Sequence, residues 1–187
     1  MTSLVGSSAV VTGASRGIGR AIALAMANAG ARVALVADSD SSKVCKSITE
    51  AGGDAKSYVA DVSDQDQVSK LFKDVLYDFK SFNVLVNNAG VQLEKPLLET
   101  DLSDFECVMG TNVRGTFLMG REAIRHMVEQ GSGGRVINIA SDLAHTGREQ
   151  FSVYCASKAA VLSLTKSWAR EFAPDILVNS ICPGPID

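Results

Sequence analysis

Short apolar runs alternate along the chain with longer stretches of helical period, the pattern left by strands that feed crossover helices. The apolar runs predict strands near Ser8–Thr12, Arg32–Ala37, Lys56–Ala60, Asn83–Val86, Arg135–Ala140 and Ile176–Ile181. Between them, helical spacing predicts helices at about Gly17–Ala29, Ser41–Ala51, Asp64–Phe79, Ser103–Gln130 and Phe151–Phe172. Runs such as VLV and RVINIA are apolar at successive positions, so both strand faces must be covered, as happens between two helical layers. Stop signals agree with these bounds. Gly30 follows the first helix, Gly52 and Gly53 the second, Gly131–Gly134 the fourth and Pro174 the fifth. The pattern predicts an α/β fold: a doubly wound parallel sheet in three layers, α/β/α.

Composition narrows this picture. A chain of 187 residues, 46% hydrophobic and 21% charged, has material for one sizeable core, so the expectation is a single domain over 1–187. A formal net charge of -3 with no long run of like charge argues against nucleic acid as a partner. No apolar stretch approaches the length of a membrane span, and the N-terminal segment lacks the basic and apolar regions of a signal peptide. No membrane partner and a cytoplasmic location are therefore expected. Cys45, Cys107, Cys155 and Cys182 lack paired spacing, which points to neither a metal site nor a disulfide framework. Cys155 adjoins Tyr154 and would make that neighbourhood sensitive to thiol reagents.

Candidate chemistry sits at the strand ends. After the first strand come Thr12, Gly13, Ala14, Ser15, Arg16, Gly17, Ile18 and Gly19, opening into an alanine-rich helix. Glycines permit a tight turn and close approach to a pyrophosphate, and the helix N-terminus offers free N–H groups, so a dinucleotide is the natural ligand. A plain strand-to-helix turn is the alternative. Asp38, after the second strand, is placed for ribose hydroxyls, and Asp61 with Val62, after the third, for adenine; solvated turns or a helix cap are the other readings. Asn87, Asn88, Ala89 and Gly90 follow the fourth strand, where small residues leave room for a cofactor and an Asn amide can tie loops together. Tyr154 and Lys158, four apart, share one helix face, with Ser141 upstream. A phenol titrates near ~10 in water, and a neighbouring ammonium favours its ionised form. By itself such a pair also fits a solvated helix face.

Taken together, TGASRGIG, DV at Asp61, NNAG at Asn87, Asn112, Ser141, YCASK at Tyr154–Lys158 and PG at Pro183 resemble the short-chain dehydrogenases/reductases, with their Rossmann-type sheet, over essentially the whole chain. The resemblance implies an NAD(P)-dependent oxidoreductase that interconverts a secondary alcohol and a carbonyl. It implies Tyr154 as general acid/base, Ser141 positioning the substrate oxygen, Lys158 on the nicotinamide ribose and lowering the tyrosine pKa, and Asn112 holding a relay water. The cofactor residues it implies are Gly13, Ser15, Arg16, Gly17, Ile18, Gly19, Asp38, Asp61, Val62, Asn88, Ala89, Gly90, Tyr154, Lys158, Pro183 and Gly184. Arg16 suits the 2′-phosphate of NADP, whereas Asp38 would repel it and accept from a free 2′-hydroxyl, so NAD is narrowly favoured. A dinucleotide-binding protein without turnover is the alternative function.

Members of that family continue past the point corresponding to Asp187, so the chain is expected to lack the usual substrate loop, last helix and seventh strand. The loop between Ser141 and Tyr154 carries Asp142, His145, Arg148, Glu149 and Gln150, which suits a sugar, polyol or hydroxy acid unless those side chains simply face water. An acyl thioester, as in 3-oxoacyl carrier-protein reductases, is the other candidate. The resemblance further implies a homo-oligomer, a dimer or tetramer, with Phe117, Leu164 and Trp168 covered either by a second copy or by their own sheet.

Overall fold

The structure, a computed structural model, describes residues 3–186; residues 1, 2 and 187, the extreme ends of the expected domain, lie outside the described residues. The strands are β1 (Ser8–Thr12), β2 (Arg32–Ala37), β3 (Ala55–Val59), β4 (Val84–Asn87), β5 (Gly134–Ile139) and β6 (Ile176–Ile181). They form one sheet in the order β3-β2-β1-β4-β5-β6, with every pairing parallel. The order reverses between β1 and β4. In an open parallel sheet, that reversal opens a crevice at the carboxyl ends of the strands, where ligands bind.

The helices are α1 (Gly17–Asn28), α2 (Ser42–Glu50), α3 (Gln65–Phe79), α4 (Leu102–Met109), α5 (Thr116–Gln130), α6 (Leu143–Thr146) and α7 (Ser152–Phe172). The doubly apolar strands are explained by what lies above and below them. Val10, Val36, Leu85 and Val136 belong to a core with side chains of α3, α5 and α7, including Phe72, Met119 and Trp168. Val11, Val33, Leu35 and Val86, one residue out of phase, join a second core with Ala23, Ala27, Val44 and Ile48 of α1 and α2. Alternating side chains of one strand thus reach opposite layers. Each Val or Leu buried this way contributes roughly 1.5–3 kcal/mol.

Helix ends follow local chemistry. Asp64 caps α3 by accepting from Asp66 N and Gln67 N, and Asp101 forms a capping box with Asp104 on α4. Strand bounds agree with the sequence expectation to one residue at β3, β4 and β5. A larger difference lies in the predicted helix Ser103–Gln130, which carries a wide π turn at Gly110–Gly115 between α4 and α5. The apolar pattern runs on through that turn, so periodicity does not reveal it; at its end Gly115 packs so closely on Val62 that a Cβ there would stand 2.7 Å from Val62 Cγ2. The short helix α6 and a 3-10 turn at Leu97–Glu99 also lack a sequence signal. Trp168, one candidate for an interface, is 9% exposed and lies against Gly120 of its own chain, whereas Phe117 stays 40% exposed.

Candidate active site

The turn from β1 into α1 is the tightest part of the crevice. Gly13 and Gly17 have φ of 63° and 54°, values that favour glycine. A Cβ at Gly19 would stand 2.2 Å from Gly13 O and 2.4 Å from Asn88 Nδ2, so the helix can meet the turn only through glycine. Arg16 occupies the cap position of α1 without a side-chain cap hydrogen bond, and no acidic residue stands in the first turn. The leading N–H groups therefore lack side-chain acceptors, and such a terminus attracts an anion.

Thr12, which sequence reasoning passed over as a site residue, stitches this turn to the end of β4. Its Oγ1 accepts from Asn88 N and Ala89 N, each at 2.9 Å, while Asn88 Nδ2 donates to Thr12 O at 3.0 Å. A hydroxyl at the last position of β1 was the only available clue. On the adenosine side, Asp38 and Arg16 are exposed, and Ser39 Oγ donates to Ser15 Oγ at 3.3 Å, linking the β2 end to the glycine turn. Asp61 Oδ1 accepts from Ser63 N and Ser63 Oγ, so that carboxylate closes its own turn. Val62 is buried beside Gly115.

Beyond β4 and β5 the crevice widens to about 450 Å³, lined by Ile18, Asn88, Gly90, Ser141, Asp142, Arg148, Phe151, Tyr154, Lys158, Pro183 and Gly184, among others. That volume lies within the range of small-molecule sites. Of the residues expected there, Gly13, Ser15, Arg16, Gly17, Gly19, Asp38, Asp61, Val62, Ala89 and Asn112 do not line this part. Asp142 and Arg148 of the polar loop do line it, while His145, Glu149 and Gln150 stand away from it.

Lys158 is 6% exposed, and its Nζ donates to Ile139 O at 2.8 Å. Burial pushes its pKa down to about 8. Tyr154 moves the opposite way: burial raises its pKa, with the neighbouring Ser141 hydroxyl acting against the rise. Lys158 Nζ is turned to a carbonyl and lies 5.8 Å from the phenol ring centroid, and desolvation is the largest influence on the phenol. Ser141 Oγ donates to Asp142 Oδ1 at 3.0 Å and accepts from Leu143 N at 3.2 Å.

Asn112, in the π turn, accepts from Val91 N at 2.8 Å and donates to Val91 O and Ser157 Oγ, each at 2.9 Å. Both amide hydrogens are spent on the protein. Its side chain clamps the 91 segment to α7 through Ser157, whose Oγ donates to Tyr154 O at 2.7 Å.

A nicotinamide dinucleotide fits these residues. The uncapped α1 terminus would suit a pyrophosphate, open space lies above Gly17, and a buried ammonium retains donors beyond its single carbonyl partner. Fold and site together define a dinucleotide-binding α/β protein. The sequence pattern of the short chain dehydrogenase family matches residues 7–187. The chain is 39% identical to a 3-oxoacyl-[acyl-carrier-protein] reductase of Synechocystis, over 98% of this chain and 76% of the relative. It is 38% identical to a sorbitol dehydrogenase of Cereibacter sphaeroides, over 98% and 72%. A crystal structure of a dehydrogenase/reductase from Sinorhizobium meliloti superposes with a TM-score of 0.94 at 41% identity, covering 100% of this chain and 75% of the other. The chain belongs to the short-chain dehydrogenase/reductase family of oxidoreductases. Among the described residues, no helix is long and apolar enough to cross a membrane.

Proposed function

We propose that this chain interconverts a secondary alcohol and a ketone with a nicotinamide dinucleotide. The observation that carries the reading is the meeting of Ser141, Tyr154 and Lys158 around one crevice next to the glycine turn. The cofactor, when bound, supplies or accepts the hydride at the substrate carbon. Gly13, Ser15, Arg16, Gly17, Ile18 and Gly19 hold its pyrophosphate, Asp38, Asp61 and Val62 its adenosine, and Asn88, Ala89, Gly90, Pro183 and Gly184 the rest of its length. Lys158 Nζ turns its unused donors to the nicotinamide ribose.

In reduction, the Tyr154 hydroxyl gives its proton to the carbonyl oxygen as negative charge develops there. The raised phenol pKa keeps that proton in place at neutral pH. Ser141 Oγ, released from Asp142, donates a hydrogen bond to the same oxygen. In oxidation, Tyr154 Oη takes the proton back. Asn112 acts by fixing the backbone beside Tyr154 through Ser157. NAD is proposed over NADP because Asp38 stands at the β2 end, against the opposing signal of Arg16.

The partner proposed for the α5 face is a second copy of this chain. Phe117 borders a groove shared with Ile124, Val128 and Phe172, and both Phe117 and Val128 are exposed.

Spectrophotometric turnover of NADH and NADPH with a panel of ketones, sugars and acyl thioesters tests the reading, with KM expected to be lower for NADH. Tyr154→Phe is expected to lower kcat by at least ~100-fold, as loss of a general acid does, while fluorescence titration shows NADH affinity within threefold of the parent. Normal turnover by that variant removes Tyr154 from the role.

A further inference from the structure

Arg148 is a basic side chain in the crevice for which the proton and cofactor chemistry has no use. It lines the same cavity as Ser141, Tyr154 and Lys158. Its guanidinium lies over the Phe151 ring, 4.8 Å from the centroid, and Phe151 is itself 2% exposed, so the platform beneath the cation is fixed. Among the described residues, Arg148 takes part in no ion pair.

The loop that presents it is held in shape. Gln150 has φ of 65°, a left-handed conformation uncommon for a residue with a side chain. Lys95 N donates to Gln150 O at 2.8 Å, and Phe151 N donates to Arg148 O at 3.2 Å. Backbone held in such regions concentrates at ligand-binding sites, because relaxing it would move the side chain it presents. In the same cavity, Asp142 Oδ1 is engaged by Ser141 Oγ and Leu143 N, and Oδ2 makes no hydrogen bond among the described residues. The charged groups facing the cavity are therefore the two cations Arg148 and Lys158 and the one carboxylate of Asp142.

We propose that the substrate carries a carboxylate: it is a polyhydroxy acid or the corresponding keto acid, its carboxylate paired with Arg148 and a hydroxyl beside the reacting carbon donating to Asp142. This rests on the oxidoreductase reading above and names the substrate class for that site. A guanidinium presents a planar donor fork that matches a carboxylate, and stacking on Phe151 leaves the fork edge free to make the pair. A neutral polyol reaches Asp142 but leaves Arg148 with water alone.

Steady-state kinetics on the full chain, with sugar acids and the alditols of the same length and configuration (gluconate and sorbitol among them), tests the assignment with both oxidised cofactors. The parent is expected to give the higher kcat/KM with the acids. In Arg148→Gln the acid-to-alditol ratio should fall roughly tenfold, through KM more than kcat, the scale of one lost charge-assisted hydrogen bond. Arg148→Lys should recover part of it, and calorimetric titration of gluconate into the cofactor-saturated protein should show the same order of affinities. Preference of the parent for alditols, or a ratio unmoved by Arg148→Gln, overturns the carboxylate anchor and leaves the oxidoreductase reading in place. Turnover of neither series, together with no turnover across the carbonyl panel, removes both.

Discussion

Lys158 shows how one residue changes character between chain and fold. Its spacing from Tyr154 comes from helical geometry alone and is legible in the sequence, whereas its titration is not, because that depends on a pocket assembled from β5, α7 and the end of β4. Folded, it titrates at about 8 instead of the ordinary 10.5. Between those two pH values the unfolded chain holds a proton that the folded chain has shed. Stability from this group therefore rises with pH across that window and the gain is absent below about 8. Chemical denaturation of the parent and Lys158→Met at a series of pH values should give a stability difference that shifts in favour of the parent as pH climbs from about 8 to 10.5. A difference independent of pH would mean that the ammonium is not desolvated. Arg148 and Asp142 were recognisable as polar loop residues, but what set them apart from His145 and Glu149 was only which side of the loop faces the crevice.

Among the elements, α1 and α3 were readable because their signals are local: a glycine turn in front of one, and Asp64 at the cap of the other. The π turn between α4 and α5 was not, since it adds a wide loop without breaking the apolar stripe. Its Asn112 bonds to residues 21 and 45 positions away, at Val91 and Ser157, and no window of sequence contains such partners. The glycine turn makes a sharper claim at this scale. Gly19→Ala places a methyl 2.2 Å from a backbone oxygen, so the first turn of α1 must move away from Gly13. The expected result is at least a tenfold loss in NADH affinity by fluorescence titration and a lower thermal midpoint. Gly17→Ala meets nothing within 4 Å and costs only the left-handed backbone term, about 1 kcal/mol. Equal effects of the two substitutions on thermal midpoint would show that crowding is not what selects glycine at position 19.

For the molecule as a whole, the reversal of strand order between β1 and β4 brings the glycine turn, the NNAG strand end and the Ser141 loop to one edge of the sheet. The exposed aromatic on α5 belongs to this scale too. With Phe117 40% exposed beside the Val128 groove, the pairing of two copies proposed for this face predicts that the parent runs as an oligomer and Phe117→Glu as a monomer in light scattering after size exclusion, with secondary structure unchanged by circular dichroism. An unaltered mass would remove that face as the interface. Alternating apolar runs and glycine stops sufficed to determine the fold class and the three layers, because each is written within a few turns of chain, whereas the roles proposed for Ser141, Tyr154 and Lys158 rest on the family resemblance of the motifs that surround them. Tertiary structure alone decided the burial that raises Tyr154 and lowers Lys158, the clamp formed by Asn112, the self-burial of Trp168 and the entry of Arg148 into the crevice. Solvent exclusion and hydrogen-bond partnership depend on segments far apart in sequence, so they acquire values only once the sheet has brought those segments together.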